Sequence, residues 1–294
     1  MGILNTISQH KSLPALLSGV LIGLSYPPLP LGFLAWFGFI PLFLALKECD
    51  LKEAFKYGYL GGITAHFITL YWIGFNSGAG FFPVFLSLIS AVFYLSLFWG
   101  LFTLILCIFL QKKKVFLWFS PLIWIAMEWI RSFGTLGFPW IDLALTQSRF
   151  IPLIQLLDVT GSSGISLWIL ILNVLLYFSY ESESGKLKYA LAAVGIVSVL
   201  WMVGLQKINN LDNNSVDNSV NVAVTQPSVD PNEKWERDNR KQMFELMHQL
   251  LDKAMELGPD VIIWPETALP SYLRLSGKDR SPIQKKVNKY EIPL

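Results

Sequence analysis

Glu266 is set between two prolines in the run Asp260-Val261-Ile262-Ile263-Trp264-Pro265-Glu266-Thr267-Ala268-Leu269-Pro270, directly after four residues that favour extended backbone. In open α/β sheets ligands bind beyond the carboxyl ends of the strands, and this carboxylate falls just past such an end. Beside Trp264 and between Pro265 and Pro270 it is expected to be partly withdrawn from water, the setting of a general base. A plainer reading is a loop carboxylate that caps the next segment.

The elements that must position it are legible upstream. Val220, Val222 and Val224 alternate with Asn221, Ala223 and Thr225, which predicts a strand ending at Gln226-Pro227. A helix follows, with Asp230 as cap, Pro231 in its first turn and Glu233 three residues after the cap. Met243, Met247, Leu250, Ala254 and Leu257 recur at helical spacing, and Gly258-Pro259 stops the run. With Val261-Ile262-Ile263-Trp264 as the second strand, this is a βαβ unit whose strands are parallel neighbours. Ile292-Pro293-Leu294 reads as the start of a third strand.

The rest of the chain is of another kind. It has 294 residues, 53% hydrophobic and only 15% charged, where soluble domains carry about 25% charged residues. A polytopic α-helical membrane bundle is predicted, with seven spans at 12–26, 31–46, 55–75, 82–110, 115–133, 163–180 and 188–205. One set of alternate loops holds Lys11, Lys47, Lys52, Lys56, Lys112, Lys113, Lys114, Lys186 and Lys188; the other holds only Arg131 and Arg149. The positive-inside rule makes the first set cytoplasmic, so the N-terminus is cytoplasmic and the region after the last span lies outside. An Asn/Asp/Ser-rich stretch over 207–219 reads as a linker between a membrane domain at 1–206 and a partial α/β domain at 220–294. The net charge of +2 makes no case for nucleic acid.

Other chemistry-bearing residues are sparse. His66 falls inside the third span, where a histidine is either functional or a hydrogen-bonded packing residue. Glu128 and Arg131, three apart, are spaced to pair along one helical face. The following loop, with Gly134, Gly137, Phe138-Pro139-Trp140 and Asp142, suits an interfacial anchor. Gly19 with Gly23, and Gly58 with Gly62, fit either close helix approach or chance. Cys49 and Cys107 stand without CxxC or His-rich company, so neither a disulfide framework nor a metal site is indicated, and no cofactor is expected.

Val222 to Pro227, Lys234-Trp235 and the Trp264-Pro265-Glu266 run together resemble the opening of the nitrilase-type (carbon–nitrogen hydrolase) domain, an αββα sandwich. Coupled to Glu128-Trp129-Ile130-Arg131-Ser132 and Gly137-Phe138-Pro139-Trp140, the pattern is similar to the apolipoprotein N-acyltransferase family. The resemblance implies an acyltransferase of the bacterial inner membrane, monomeric, with its catalytic domain in the periplasm. A cysteine takes an acyl chain from a phospholipid, typically phosphatidylethanolamine, and passes it to the α-amino group of a diacylglyceryl-cysteine on a lipoprotein. It implies that Glu266 is the catalytic carboxylate and that Trp235 lies near the substrate entrance, a packing role being equally open. The family's lysine and cysteine come well downstream of the glutamate. Here no cysteine follows Glu266, and Lys278, Lys285, Lys286 and Lys289 come too soon after it. The expectation is therefore an N-terminal portion with an incomplete nitrilase-like domain, inactive by itself. The competing expectation is a non-catalytic membrane protein with a remnant nitrilase-like binding cap. A transporter bundle fits less well, because paired intramembrane charges are missing.

Overall fold

A computed structural model describes residues 12–75, 80–213, 219–230 and 239–294. The chain divides into two compact units, Met1–Asn213 and Asn214–Leu294.

The first unit is an all-helical bundle. Its helices are α1 (Ser12–Ser25), α2 (Ile40–Ala45), α3 (Leu51–Leu70), α4 (Phe81–Leu110), α5 (Ser120–Arg131), α6 (Leu157–Glu181) and α7 (Lys186–Asn213), joined by several short 3-10 turns. Among the described residues, three helices are long and apolar enough to cross a membrane: Phe81–Leu110, Leu157–Glu181 and Lys186–Leu211. The other four expected spans correspond to α1, the segment around α2, α3 with its charged first turns, and α5. The last helix runs on to Asn213, well into the stretch expected as linker. Leu187, Leu191, Val194, Val199 and Met202 on that helix are exposed apolar surface, as lipid contact requires.

Close approach explains the glycines. A Cβ at Gly19 of α1 would overlap the carbonyl oxygen of Gly61 on α3, and one at Gly58 of α3 would overlap Thr103 and the Trp99 carbonyl on α4. Gly23 and Gly62 are crowded likewise by Ile68 and Trp99, so both patterns serve helix packing. Asp50 starts α3 with a full capping box: its carboxylate accepts from the Glu53 N–H at 2.7 Å, and Glu53 accepts from the Asp50 N–H at 3.3 Å. The core is aromatic. Trp124 meets Phe39, Trp99 and Phe102 edge to face, with ring centroids 4.8, 5.2 and 5.1 Å away.

The expected second span is not one helix. Gly32–Trp36 is a 3-10 turn, and α2 begins only at Ile40, with Pro41 in its first turn. Backbone groups released by that break must find partners in an apolar interior. Asn173 of α6 supplies two: its Oδ1 accepts from the Phe39 N–H at 2.8 Å, and its Nδ2 donates to the Ala35 carbonyl at 2.7 Å. Gln147 supplies a third, donating to the Gly32 carbonyl at 3.0 Å while accepting from Trp36 Nε1 at 2.9 Å. Gly161, with φ 62 and ψ −170, kinks α6 just before the expected 163–180 span.

The second unit holds β1 (Val222–Val224), α8 (Arg240–Glu256), β2 (Val261–Ile263) and α9 (Gly277–Tyr290). The strands pair in parallel, Val222 with Val261, Ala223 with Ile262 and Val224 with Ile263. Ala223 and Ile262 share the inner face, against Met247 and Leu251 of α8 and Ile283 of α9. Val222, Val224 and Ile263 are exposed on the other. Gly258, at φ 59, ends α8 as the Gly-Pro signal predicts. The Ile262 N–H donates to the Pro293 carbonyl at 2.9 Å, so 292–294 lies along β2 on the side away from β1. Pro231 and Glu233, expected to follow the Asp230 cap, and Trp235 lie outside the described residues.

Candidate functional site

β2 ends at Ile263, and the chain then turns through Glu266 and Thr267. Thr267 adopts φ 54, a left-handed conformation unusual for a β-branched residue. Ala268 and Leu269, immediately beyond, are buried in the core shared by α8, α9 and β2. The turn is thus pinned on one side by the strand and on the other by two core residues, and it projects Glu266 outward. Glu266 is exposed, which corrects the expected desolvation. Trp264 is half-buried, with an Nε1 that has no partner among the described residues. Pro265 cannot donate a backbone hydrogen bond, so pairing with β2 ends there.

The loop beyond the turn flanks a cavity of about 680 Å³ whose lining includes Trp264, Thr267, Tyr272 and Arg274 but not Glu266. Asp279, in the first turn of α9, holds the far end of this loop. Its Oδ2 accepts from Ser271 Oγ at 2.6 Å, Ser276 Oγ at 2.8 Å and Arg240 Nη2 at 2.7 Å. The two serine hydroxyls, aided by the Arg240 charge, hold the Asp279 carboxyl below its ordinary range. This hub escaped the sequence reading, although Ser276 and Asp279 have the spacing of a helix-capping pair. Lys286 is engaged elsewhere, with Asp252 of α8 at 2.6 and 2.7 Å. Lys289 lies over the Tyr290 ring.

In the first unit, Glu128 and Arg131 do not pair with each other. Both are buried, and each reaches the loop that follows α5. Glu128 Oε1 accepts from the Leu143 N–H at 2.6 Å and from Trp124 Nε1 at 2.9 Å. Arg131 Nη2 donates to Asp142 Oδ1 at 2.9 Å. Tyr26 adds a bond from its hydroxyl to the Ile141 carbonyl at 2.7 Å. Sequence spacing identified a pair along one helix, whereas the folded chain offers each group a closer partner across a loop. Trp140 projects from this clamped loop and stacks on Trp72, both exposed, as an interfacial anchor would.

His66 has a partner that the sequence did not reveal. Its Nδ1 lies 3.1 Å from Ser96 Oγ, and that hydroxyl already donates to the Val92 carbonyl at 2.6 Å. The histidine is therefore the donor, carrying its proton on Nδ1. It ties α3 to α4 and serves packing.

An apolar helical bundle and an α/β unit bearing a carboxylate at a strand end define a membrane-type protein with an appended α/β domain. Residues 18–175 match the family model of the apolipoprotein N-acyltransferase N-terminal domain. The chain belongs to the apolipoprotein N-acyltransferase family. It is 32% identical over 281 residues to the apolipoprotein N-acyltransferase of Geobacter metallireducens, covering 92% of this chain and 53% of that protein. Its counterparts of that name in Chlorobaculum tepidum and Rickettsia prowazekii are each 29% identical, over 100% and 86% of this chain and 56% and 51% of theirs. The chain spans about half the length of the curated relatives it matches.

Proposed function

We propose that the chain belongs to an enzyme that N-acylates the diacylglyceryl-cysteine at the N-terminus of lipoproteins, with a phospholipid as acyl donor. The observation that carries this reading is the family match over 18–175, joined in one chain to a parallel strand pair that ends in a turn bearing Glu266. The bundle is read as the membrane domain, with seven spans and a cytoplasmic N-terminus, and the second unit as the opening of a nitrilase-like periplasmic domain. Support for the orientation comes from the lysine-rich alternate loops.

On this reading Glu266 removes the proton of a cysteine thiol. The thiolate attacks the phospholipid ester carbonyl, and the lysophospholipid leaves as its alkoxide takes up a proton, which forms a thioester. Glu266 then accepts a proton from the lipoprotein amine as nitrogen attacks the thioester and the thiol is regenerated. A lysine stabilises the oxyanion in both halves. The family's lysine and cysteine belong, on this reading, to the half of the relatives' length that these 294 residues do not span. Exposure of Glu266 is compatible with its role, because further parts of the domain and the substrate would supply the missing enclosure. Trp235 is retained as a substrate-entrance residue.

The test uses the full-length enzyme. Glu266→Gln should reduce formation of a hydroxylamine-sensitive acyl adduct from labelled phospholipid by about 10²-fold or more, with membrane insertion unchanged. Acylation at the unmodified rate would return Glu266 to a loop carboxylate. The 294-residue chain alone is expected to acquire no such adduct.

A further inference from the structure

The two cysteines of this chain, 58 positions apart, meet in the folded bundle: Cys49 Sγ and Cys107 Sγ are 3.7 Å apart. Neither is in a disulfide, and both line a cavity of about 270 Å³. Lys47, Glu48, Gln111 and Lys114 bring polar and charged groups to that cavity, and Tyr177 also lines it.

Cys49 is 7% exposed and Cys107 1%, so the cavity is the route by which a small reagent reaches either sulfur. Cys107 donates to the Cys49 carbonyl at 3.6 Å and accepts from Gln111 Nε2 at 3.7 Å, contacts that hold it facing its partner. Cys49 sits on the connection between α2 and α3, next to Glu48, whose φ of 53 places that connection in a left-handed conformation. A disulfide needs the sulfurs at about 2.05 Å, so closure asks for a shift of under about 2 Å. The non-helical connection can make that shift while α4 stays in place.

We infer that Cys49 and Cys107 form a redox modification site that closes to an intramolecular disulfide by exchange with a low-molecular-weight disulfide entering this cavity. Cys49 thiolate attacks one sulfur of the co-reactant, whose S–S bond breaks and releases one thiolate. Cys107 thiolate then attacks Cys49 Sγ, forming the new S–S bond and expelling the second. The protons of the two cysteines pass to the two released thiolates and give two thiols, so two cysteines are oxidised and one small disulfide is reduced. Closure staples the α2–α3 connection to α4. The carboxylate chemistry proposed for Glu266 does not enter.

The experiment takes the reduced 294-residue chain, purified in detergent, and exposes it to oxidised glutathione. Free thiols are then counted by maleimide-polyethylene-glycol alkylation after denaturation, with non-reducing gels and intact mass alongside. The expected result is loss of both thiols together at monomer mass, no retained glutathione, and full recovery with dithiothreitol. Cys49→Ser and Cys107→Ser should each form no intramolecular disulfide, the first leaving the buried Cys107 slow to react. Two retained glutathione adducts, disulfide-linked dimers, or two thiols still alkylable in the unsubstituted chain would each overturn the inference.

Discussion

The helical bundle and the α/β unit use polar side chains in opposite ways. In the bundle, Asn173, Gln147 and Glu128 are buried and reach backbone groups far away in sequence: Asn173 meets Phe39 and Ala35 across 134 and 138 positions, and Gln147 meets Gly32 across 115. In the α/β unit, Asp279 is met by Ser276 and Ser271, only 3 and 8 positions away, and by the exposed Arg240. The difference follows from solvent. An apolar interior offers a broken helix no water, so distant side chains must complete its backbone, whereas near water caps and ion pairs tune an already satisfied backbone.

The contrast can be broken most directly at Asn173. Replacement by leucine orphans the Phe39 N–H and the Ala35 carbonyl, and should destabilise the bundle by about 2–6 kcal/mol, at about 1–3 kcal/mol per buried unsatisfied group. Thermal unfolding in detergent measures it, and a loss under about 1 kcal/mol would mean the break is satisfied by other means. Met247→Ala, in the fully buried core of the second unit, should cost about 2–4 kcal/mol. Hydrogen exchange should accelerate in α8 and β2 and stay unchanged in α3 and α4; acceleration in both would show that the two units do not unfold separately. Ser276→Ala removes a helix cap and should cost about 1 kcal/mol, seen as fraying of the first turn of α9 alone.

The smallest effects come from pH and belong to the second unit. Burial, and then the Lys286 charge, hold His248 below its ordinary range in the fold. The unfolded chain therefore takes up this proton first, and stability falls as pH drops below about 6.5. The depressed Asp279 acts at lower pH: its contribution is complete above the unfolded carboxylate value of about 3.9 and is lost as pH falls through the lower folded value. His248→Gln should flatten the first phase and Asp279→Asn the second in urea titrations followed across pH. Equal slopes in all three proteins would place the pH dependence elsewhere.

Much of this architecture was legible from residue types and short-range spacing. Apolar runs announced the long helices Phe81–Leu110 and Leu157–Glu181, and the valine alternation, Met/Leu period and Gly258-Pro259 announced strand, helix and strand. The turn that carries Glu266 was visible because a proline-bounded turn after a β-forming run is a local signal. What stayed hidden is non-local. Glu128 and Arg131 sit at pairing distance along a helix, yet the loop brings the Leu143 N–H and Asp142 closer. The break around residues 37–39 is tolerated only because Asn173 arrives from α6 to satisfy it. Cys49 and Cys107 share no motif, and only the packing of the α2–α3 connection against α4 puts their sulfurs 3.7 Å apart. Hydrophobic patterning is a property of each segment and can be read from the sequence alone. Which buried donor meets which acceptor depends on where segments distant in sequence come to rest, and that was decided by the tertiary structure.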